Sequence, residues 1–282
     1  MTEAGASDPV CARHPDRVTY VLCNRCGRGI CTDCMIPAPV GFHCPDCVRE
    51  ARASTPRRVR RAAGTTPTVT YGIVILCVII QVLGDLGIGT STGWVQELSV
   101  FPARIAAFGE TYRLITAIFV HSGWLHLGMN MLVLWIMGRS VEQAFGHVRT
   151  AALFLIAGFG GAVASYWFND PFVAGVGASG AIFGMFAAIF MVGRELRVNT
   201  QEIVGVIALN LVIGFVIPGV DWRAHLGGLV TGAIVGWALI PHRHRVLQVL
   251  VPVLVVAGLV LATQWRTGVL LPQLAAQLVV HS

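Results

Sequence analysis

Seven stretches of this chain, each 18–25 residues long, contain no Asp, Glu, Lys or Arg: residues 62–84, 114–138, 151–169, 171–193, 203–220, 224–242 and 246–265. A helix needs roughly 20 residues to cross about 30 Å of hydrocarbon, and in lipid its backbone must satisfy its own hydrogen bonds. The pattern therefore predicts seven membrane-spanning helices. Composition agrees. Only 12% of residues are charged, against about 25% in a soluble domain, which excludes a single ordinary water-soluble domain of this length. Net charge is +6 and all 20 basic residues are arginine. They are scattered among apolar runs, so a nucleic-acid partner is not expected.

The first apolar run starts late, and no short apolar segment with a cleavage site opens the chain, so a cleaved secretory signal is not expected. An arginine-rich linker over 51–67, with Arg57, Arg58, Arg60 and Arg61, precedes the spans over 68–265, and a tail over 266–282 follows them. With residues 1–50 in the cytoplasm, inside segments hold that cluster plus Arg139, Arg149, Arg194, Arg197, Arg243 and Arg245. Outside segments then hold only Arg104, Arg113, Arg223 and Arg266. This bias predicts an integral cell-membrane protein with a cytoplasmic N-terminus and an extracytoplasmic C-terminus. The 85–113 loop is rich in Gly, Trp and Phe rather than charge. It suits a segment in the membrane interface and an ordinary outer loop about equally.

Seven of the eight cysteines lie between Cys11 and Cys47. With His14 they form four pairs that have two residues between members: Cys11/His14, Cys23/Cys26, Cys31/Cys34 and Cys44/Cys47. A tight turn at this spacing aims both ligand atoms at one ion, and eight ligands make two tetrahedral zinc sites. Interleaving groups Cys11, His14, Cys31 and Cys34 around one ion and Cys23, Cys26, Cys44 and Cys47 around the other. His43 is adjacent and offers a substitute ligand. Disulfides are the rival reading, disfavoured in a reducing compartment. So few apolar residues accompany the cysteines that structural zinc would supply most of the folding free energy.

Polar residues within the spans are the exceptions that carry chemistry. His126 and Asn130 are four apart on the second span and share one helix face. Ser179 opens the fourth span inside Gly177-Ala178-Ser179-Gly180, and His225 opens the sixth. All three spans run from outside to inside, so these groups meet on one side at comparable depth. Gly180 and Gly184 on the fourth span, with Gly228, Gly232 and Gly236 on the sixth, allow close backbone approach. That approach brings a neutral His225 ring within reach of a recessed Ser179. Alone, a serine in a span ordinarily serves helix packing, and His121 reads equally as a hydrated interface residue. The coincidence of side, depth and chemistry is what points to a nucleophile.

Four motifs now resemble one family. Tyr112-Arg113-Leu114-Ile115-Thr116, His126-x3-Asn130, Gly177-Ala178-Ser179-Gly180 and Ala224-His225-x2-Gly228-x3-Gly232 look like the signature set of rhomboid intramembrane serine proteases, over about residues 68–265. The resemblance implies an all-α polytopic membrane protein: a six-helix core plus a seventh C-terminal helix, preceded by a small domain similar to a B-box zinc finger. It implies a serine endopeptidase acting on transmembrane protein substrates within the lipid bilayer and needing no cofactor for catalysis. Ser179 matches the nucleophile and His225 the general base. His126 and Asn130 match the side chains that bind the oxyanion with the Ser179 backbone N–H. Arg139 and Glu142 match a structural polar pair. Two positions depart from the family pattern: Tyr112 replaces a usual Trp, and Phe183 replaces a frequent Tyr under the catalytic imidazole, keeping the ring and losing the hydroxyl. The zinc module is expected to recruit a cytosolic protein. The competing expectation is a non-catalytic membrane adaptor of the same fold; a transporter finds no acidic residue in the spans and no inverted repeat.

Overall fold

The computed structural model describes residues 9–37, 41–54, 66–90, 93–195, 200–217 and 219–280. It forms two compact units, Met1–Ala63 and Gly64–Ser282. Residues 55–65 of the expected linker, with its arginine cluster, and Arg197 lie outside the described residues.

The first unit is held by its cysteines. A 3-10 turn at Thr32–Cys34 precedes the antiparallel pair β1 (Ile36–Pro37) and β2 (Phe42–His43), and α1 spans Pro45–Ser54. Single bridges Val10↔Val18 and Leu22↔Gly29 close the turns carrying Cys11/His14 and Cys23/Cys26. The buried cluster is six cysteines and Ile30, with Met35 against it. This is too small an apolar core to fold a domain of this size.

The second unit is helical. Its long helices are α2 (Thr68–Asp85), α6 (Trp124–Phe145), α7 (His147–Phe168), α8 (Ser179–Glu195), α9 (Gln201–Val216), α10 (Trp222–Leu239) and α11 (Arg245–Val280). Each falls within or across one of the seven charge-free stretches. Short helices α3 (Trp94–Leu98), α4 (Pro102–Phe108) and α5 (Arg113–Thr116) occupy the loop after α2. Thr68–Asp85, His147–Phe168 and Arg245–Ala276 are each long and apolar enough to cross a membrane by length and composition alone.

Two boundaries differ from the sequence expectation by ten residues or more. The second span begins at Trp124 rather than 114, because α5 and a run of turns use the intervening residues and bury Leu114, Ile118, Val120 and His121. Lack of charge marks buried turns as well as helix. The last helix continues beyond 265 to Val280, about 54 Å at 1.5 Å per residue. Its C-terminal half packs Leu270 against Ile105, Leu114 and Tyr166, while the Tyr166 and Thr267 hydroxyls lie 2.7 Å apart. The 85–113 segment is thus folded onto the bundle. Arg113, 2% exposed, donates to the carbonyls of Gln96 (2.8 Å) and Ser99 (3.2 Å) and pairs with Glu110. Between Arg104 and Arg113, the Glu110 carboxyl is held down at about 2.

Helix α8 is the centre, buried continuously from Gly180 to Ala188 between α7 and α10. Small residues make this possible. A Cβ on Gly232 would run into the Gly184 backbone, one on Gly228 into Gly180, and one on Gly236 into Ala188. Gly232→Ala is therefore expected to cost about 1–3 kcal/mol, read as a lower midpoint of thermal unfolding in detergent. An unchanged midpoint would show that the helices do not meet along this seam. At the other end of α6, buried Glu142 accepts from the N–H groups of Val69 and Thr70 and from Thr70 Oγ1, and contacts His147, so it caps α2. Arg139 lies over the Trp135 ring instead of pairing with Glu142.

Candidate active site

Three helix starts converge. Ser179 is the first residue of α8, His225 lies in the first turn of α10, and His126 lies in the first turn of α6 with Asn130 one turn on. Ser179 Oγ and His225 Nε2 are 2.8 Å apart. The glycine seam sets this distance, since it lets α8 and α10 approach to backbone contact just below both side chains. The His225 ring stacks on Phe183, centroids 4.4 Å apart and planes 14° from parallel, so the aromatic ring expected under the imidazole is in place. His225 is 7% exposed, and its Nδ1 has no hydrogen-bond partner among the described residues.

The start of α10 is fixed by Asp221, which the sequence reading did not single out. Its Oδ1 accepts from the N–H groups of Arg223 (3.1 Å) and Ala224 (3.2 Å) as an N-cap, and its Oδ2 accepts from Ser165 Oγ on α7. An Asp just before a helical run is the available sequence signal. Asp221→Ala is expected to cost about 1–2 kcal/mol, measured by thermal unfolding. A variant as stable as the parent would remove the cap from this account.

On the other side of Ser179, the segment before α8 is pinned by backbone bonds. Val100 and Gly175 exchange N–H···O bonds at 2.9 Å, and Gly177 N–H donates to Ala117 O at 2.9 Å. Gly177 has φ +119°, and a Cβ there would sit 2.8 Å from Cε1 and Nε2 of His126. Only glycine satisfies both constraints. His126 therefore lies against the turn leading into Ser179. Its Nδ1 faces Ser122 Oγ at 3.1 Å and accepts from the Ser122 N–H at 3.5 Å, which leaves the ring proton on Nε2, the side facing Gly177. The Asn130 amide donates to its own helix, to His126 O at 2.9 Å, and keeps a second N–H. His121 is 2% exposed, 5.1 Å edge-on to His126, with Nε2 3.5 Å from Ala178 N. It is a buried support of the site.

All four residues line one cavity of about 840 Å³, together with Phe183, Asp221 and, from α9, Asn210. Asn210 also escaped the sequence reading, because one amide inside an apolar run does not interrupt a charge-based pattern.

In the first unit the eight expected ligands gather in the interleaved sets. The ligand atoms of Cys11, His14, Cys31 and Cys34 lie within 4.8 Å of one another, as do those of Cys23, Cys26, Cys44 and Cys47. His43 belongs to neither set. No disulfide forms among these cysteines. Cys26 and Cys44 sulfurs are 3.8 Å apart, and His14 Nδ1 lies 3.3–3.9 Å from the sulfurs of Cys31, Cys34 and Cys11. A disulfide needs about 2.05 Å, whereas a tetrahedron with bonds of about 2.3 Å has edges near 3.8 Å. The Arg28 guanidinium holds the Cys26 thiol down at about 6, while burial beside neighbouring sulfurs pushes Cys47 up to about 12. Such crowding of four sulfurs is what a bound dication relieves, so the donor sets fit tetrahedral metal.

Residues 108–242 match the rhomboid domain. The chain is similar to rhomboid protease GluP of Bacillus subtilis (strain 168), 35% identical over 181 residues that cover 61% of this chain and 35% of GluP. It is similar to RHOMBOID-like protein 5 of Arabidopsis thaliana, 35% identical over 184 residues, 58% of each chain. Rhomboid protease AarA of Providencia stuartii is 32% identical over 193 residues, covering 56% of this chain and 68% of AarA. The chain thus spans little more than half of the Arabidopsis relative and less of GluP.

Proposed function

Because the chain belongs to the rhomboid family, whose members are integral membrane proteins, we propose that it is a serine endopeptidase that hydrolyses a peptide bond in or near a transmembrane segment of another membrane protein. The observation that carries this reading is the 2.8 Å contact between Ser179 Oγ and His225 Nε2 in a shared cavity. The non-catalytic adaptor reading gives no reason for that contact.

On this reading Ser179 O–H donates to a neutral His225 whose other proton is on Nδ1. As Oγ adds to the scissile carbonyl carbon, Nε2 takes the serine proton and the carbonyl oxygen becomes an oxyanion. In this mechanism three donors meet that charge: the Ser179 backbone N–H at the start of α8, His126 Nε2–H, and the second N–H of Asn130. Oriented donors of this kind each contribute a few kcal/mol at the transition state. Collapse breaks the C–N bond, the leaving amine takes the proton from Nε2, and an ester on Ser179 remains. Water, giving its proton to the same nitrogen, attacks that ester, and Nε2 returns the proton to Ser179 Oγ as the acid leaves. Phe183 keeps the imidazole plane fixed throughout. Water must reach this depth: α8 has 17 residues, about 26 Å at 1.5 Å per residue, which is shorter than the hydrocarbon layer. Ser179 thus sits recessed below one surface, beneath the pinned 170–178 segment.

In the same reading the first unit is a cytoplasmic module whose two metal ions are zinc, held by Cys11, His14, Cys31 and Cys34 and by Cys23, Cys26, Cys44 and Cys47. The zinc is structural and supplies folding free energy, and the module recruits a cytosolic protein. Residues 68–265 carry the protease, with the C-terminus on the opposite side of the membrane. The test is incubation of the purified protein with a single-span protein in liposomes. Fragments cut in or beside the span are expected, and an intact substrate after incubation with folded, inserted enzyme would overturn the reading.

A further inference from the structure

Beyond its first two residues, Gln201 and Glu202, helix α9 is apolar except for one amide. Its body reads Ile203 to Val216 with Asn210 in the middle, and it packs less extensively than its neighbours, against α8 and α10. A polar side chain at that depth costs free energy unless it finds partners, and it marks a ligand or substrate path by default. Asn210 does not point at random. It shares a face, at i, i+3, i+4 and i+7, with Ile213, Gly214 and Ile217. That face meets the start of α10, where a Cβ on Gly214 would lie 3.3 Å from Trp222 and 3.4 Å from His225 Nδ1. Asn210, Ile213 and Ile217 line the cavity that holds Ser179, His225 and His126.

The amide is half used. Asn210 Nδ2 donates to Val206 O one turn back at 2.8 Å, which orients the group and leaves one N–H and the whole of Oδ1 without a partner among the described residues. One donor and one acceptor in one plane match a peptide group. A transmembrane helix must open locally before a bond in it can be cut, and each peptide group freed in an apolar setting lacks a partner.

We propose that Asn210 is a substrate-binding residue whose free N–H and Oδ1 hydrogen-bond the exposed peptide groups of a locally unwound transmembrane segment beside the Ser179–His225 pair. The assignment rests on the protease reading. It makes Asn210 matter for engaging and opening the substrate helix and not for the reactivity of Ser179.

The experiment compares wild type, Asn210→Leu and Asn210→Gln in liposomes. It measures kcat and KM on a single-span substrate with an apolar segment, and the rate at which a fluorophosphonate labels Ser179. In Asn210→Leu, kcat/KM is expected to fall about 10-fold, the worth of one or two hydrogen bonds, while Ser179 labels as in wild type. A second substrate with two glycines beside the cleaved bond, already prone to unwind, is expected to lose less. Asn210→Gln, which keeps the amide, is expected to recover part of the loss. Equal cleavage of the apolar substrate by wild type and Asn210→Leu would overturn the assignment. So would parallel loss of labelling and cleavage, which would place Asn210 in support of the dyad or the fold. Wild type that neither labels nor cleaves would overturn the protease reading itself, and this assignment with it.

Discussion

Ser179→Ala is expected to reduce cleavage of a single-span substrate by about 10⁴-fold or more, and His225→Ala by a similar factor. The two losses are not additive, because Oγ and Nε2 work as one unit across a 2.8 Å contact. The double variant is expected to be no worse than either single one. His126→Ala removes only one oxyanion donor and is expected to cost about 100-fold. Its Nε2 lies against the Gly177 turn rather than on Ser179, so Ser179 should remain nucleophilic in that variant. The measurement is initial rate in liposomes, with thermal unfolding to show that each variant is folded. Substantial cleavage by folded Ser179→Ala would remove the nucleophile from this mechanism, and equal effects of His126→Ala and His225→Ala would remove the distinction in roles.

Metal removal is expected to separate the two units. The purified chain should carry two zinc ions, one per cluster of four ligands. Structural zinc contributes about 10–16 kcal/mol of apparent binding free energy per site in small domains, far more than Ile30 and Met35 can supply by burial. A strong chelator should therefore unfold residues 9–54, read as loss of protease resistance in that region. Cys44→Ser should halve the zinc content while leaving the Cys11 cluster loaded. Neither treatment, nor deletion of residues 1–50, should stop cleavage of a simple substrate, since Ser179, His225, His126 and Asn130 all lie in the second unit. A first unit that keeps its fold without metal, or a folded truncated enzyme that has lost its chemistry, would contradict this division.

Much of this was legible in the residues. The seven long helices among the described residues follow from absence of charge, since lipid excludes ionised side chains wherever they are not needed. The interleaved clusters follow from two-residue spacings, because a short turn leaves the paired ligand atoms little freedom. The meeting of Ser179 with His225 was foreshadowed by glycines four apart on two helices. What was not legible is equally physical. A charge-free stretch does not say where helix gives way to buried turns, so the second span begins ten residues later than its apolar run. The 266–280 segment looks like a tail but remains helical by packing on Tyr166 and Ile105, partners distant in sequence. Arg113 reads as a motif letter, and only the fold shows it buried and spent on the carbonyls of Gln96 and Ser99. Asp221 offers only the signal of an N-cap before a helical run, and Asn210 carries none until α9 is placed beside α10.

The most direct test of the central claim is the covalent address of the intermediate. A peptidyl phosphonate, which phosphonylates an activated serine and stops there, is incubated with the purified protein in liposomes, and the adduct is located by tandem mass spectrometry. A single adduct on Ser179, absent after His225→Ala and blocked by excess transmembrane substrate, is the expected result. An adduct on another residue, or none on a protein that still cleaves its substrate, would contradict the account.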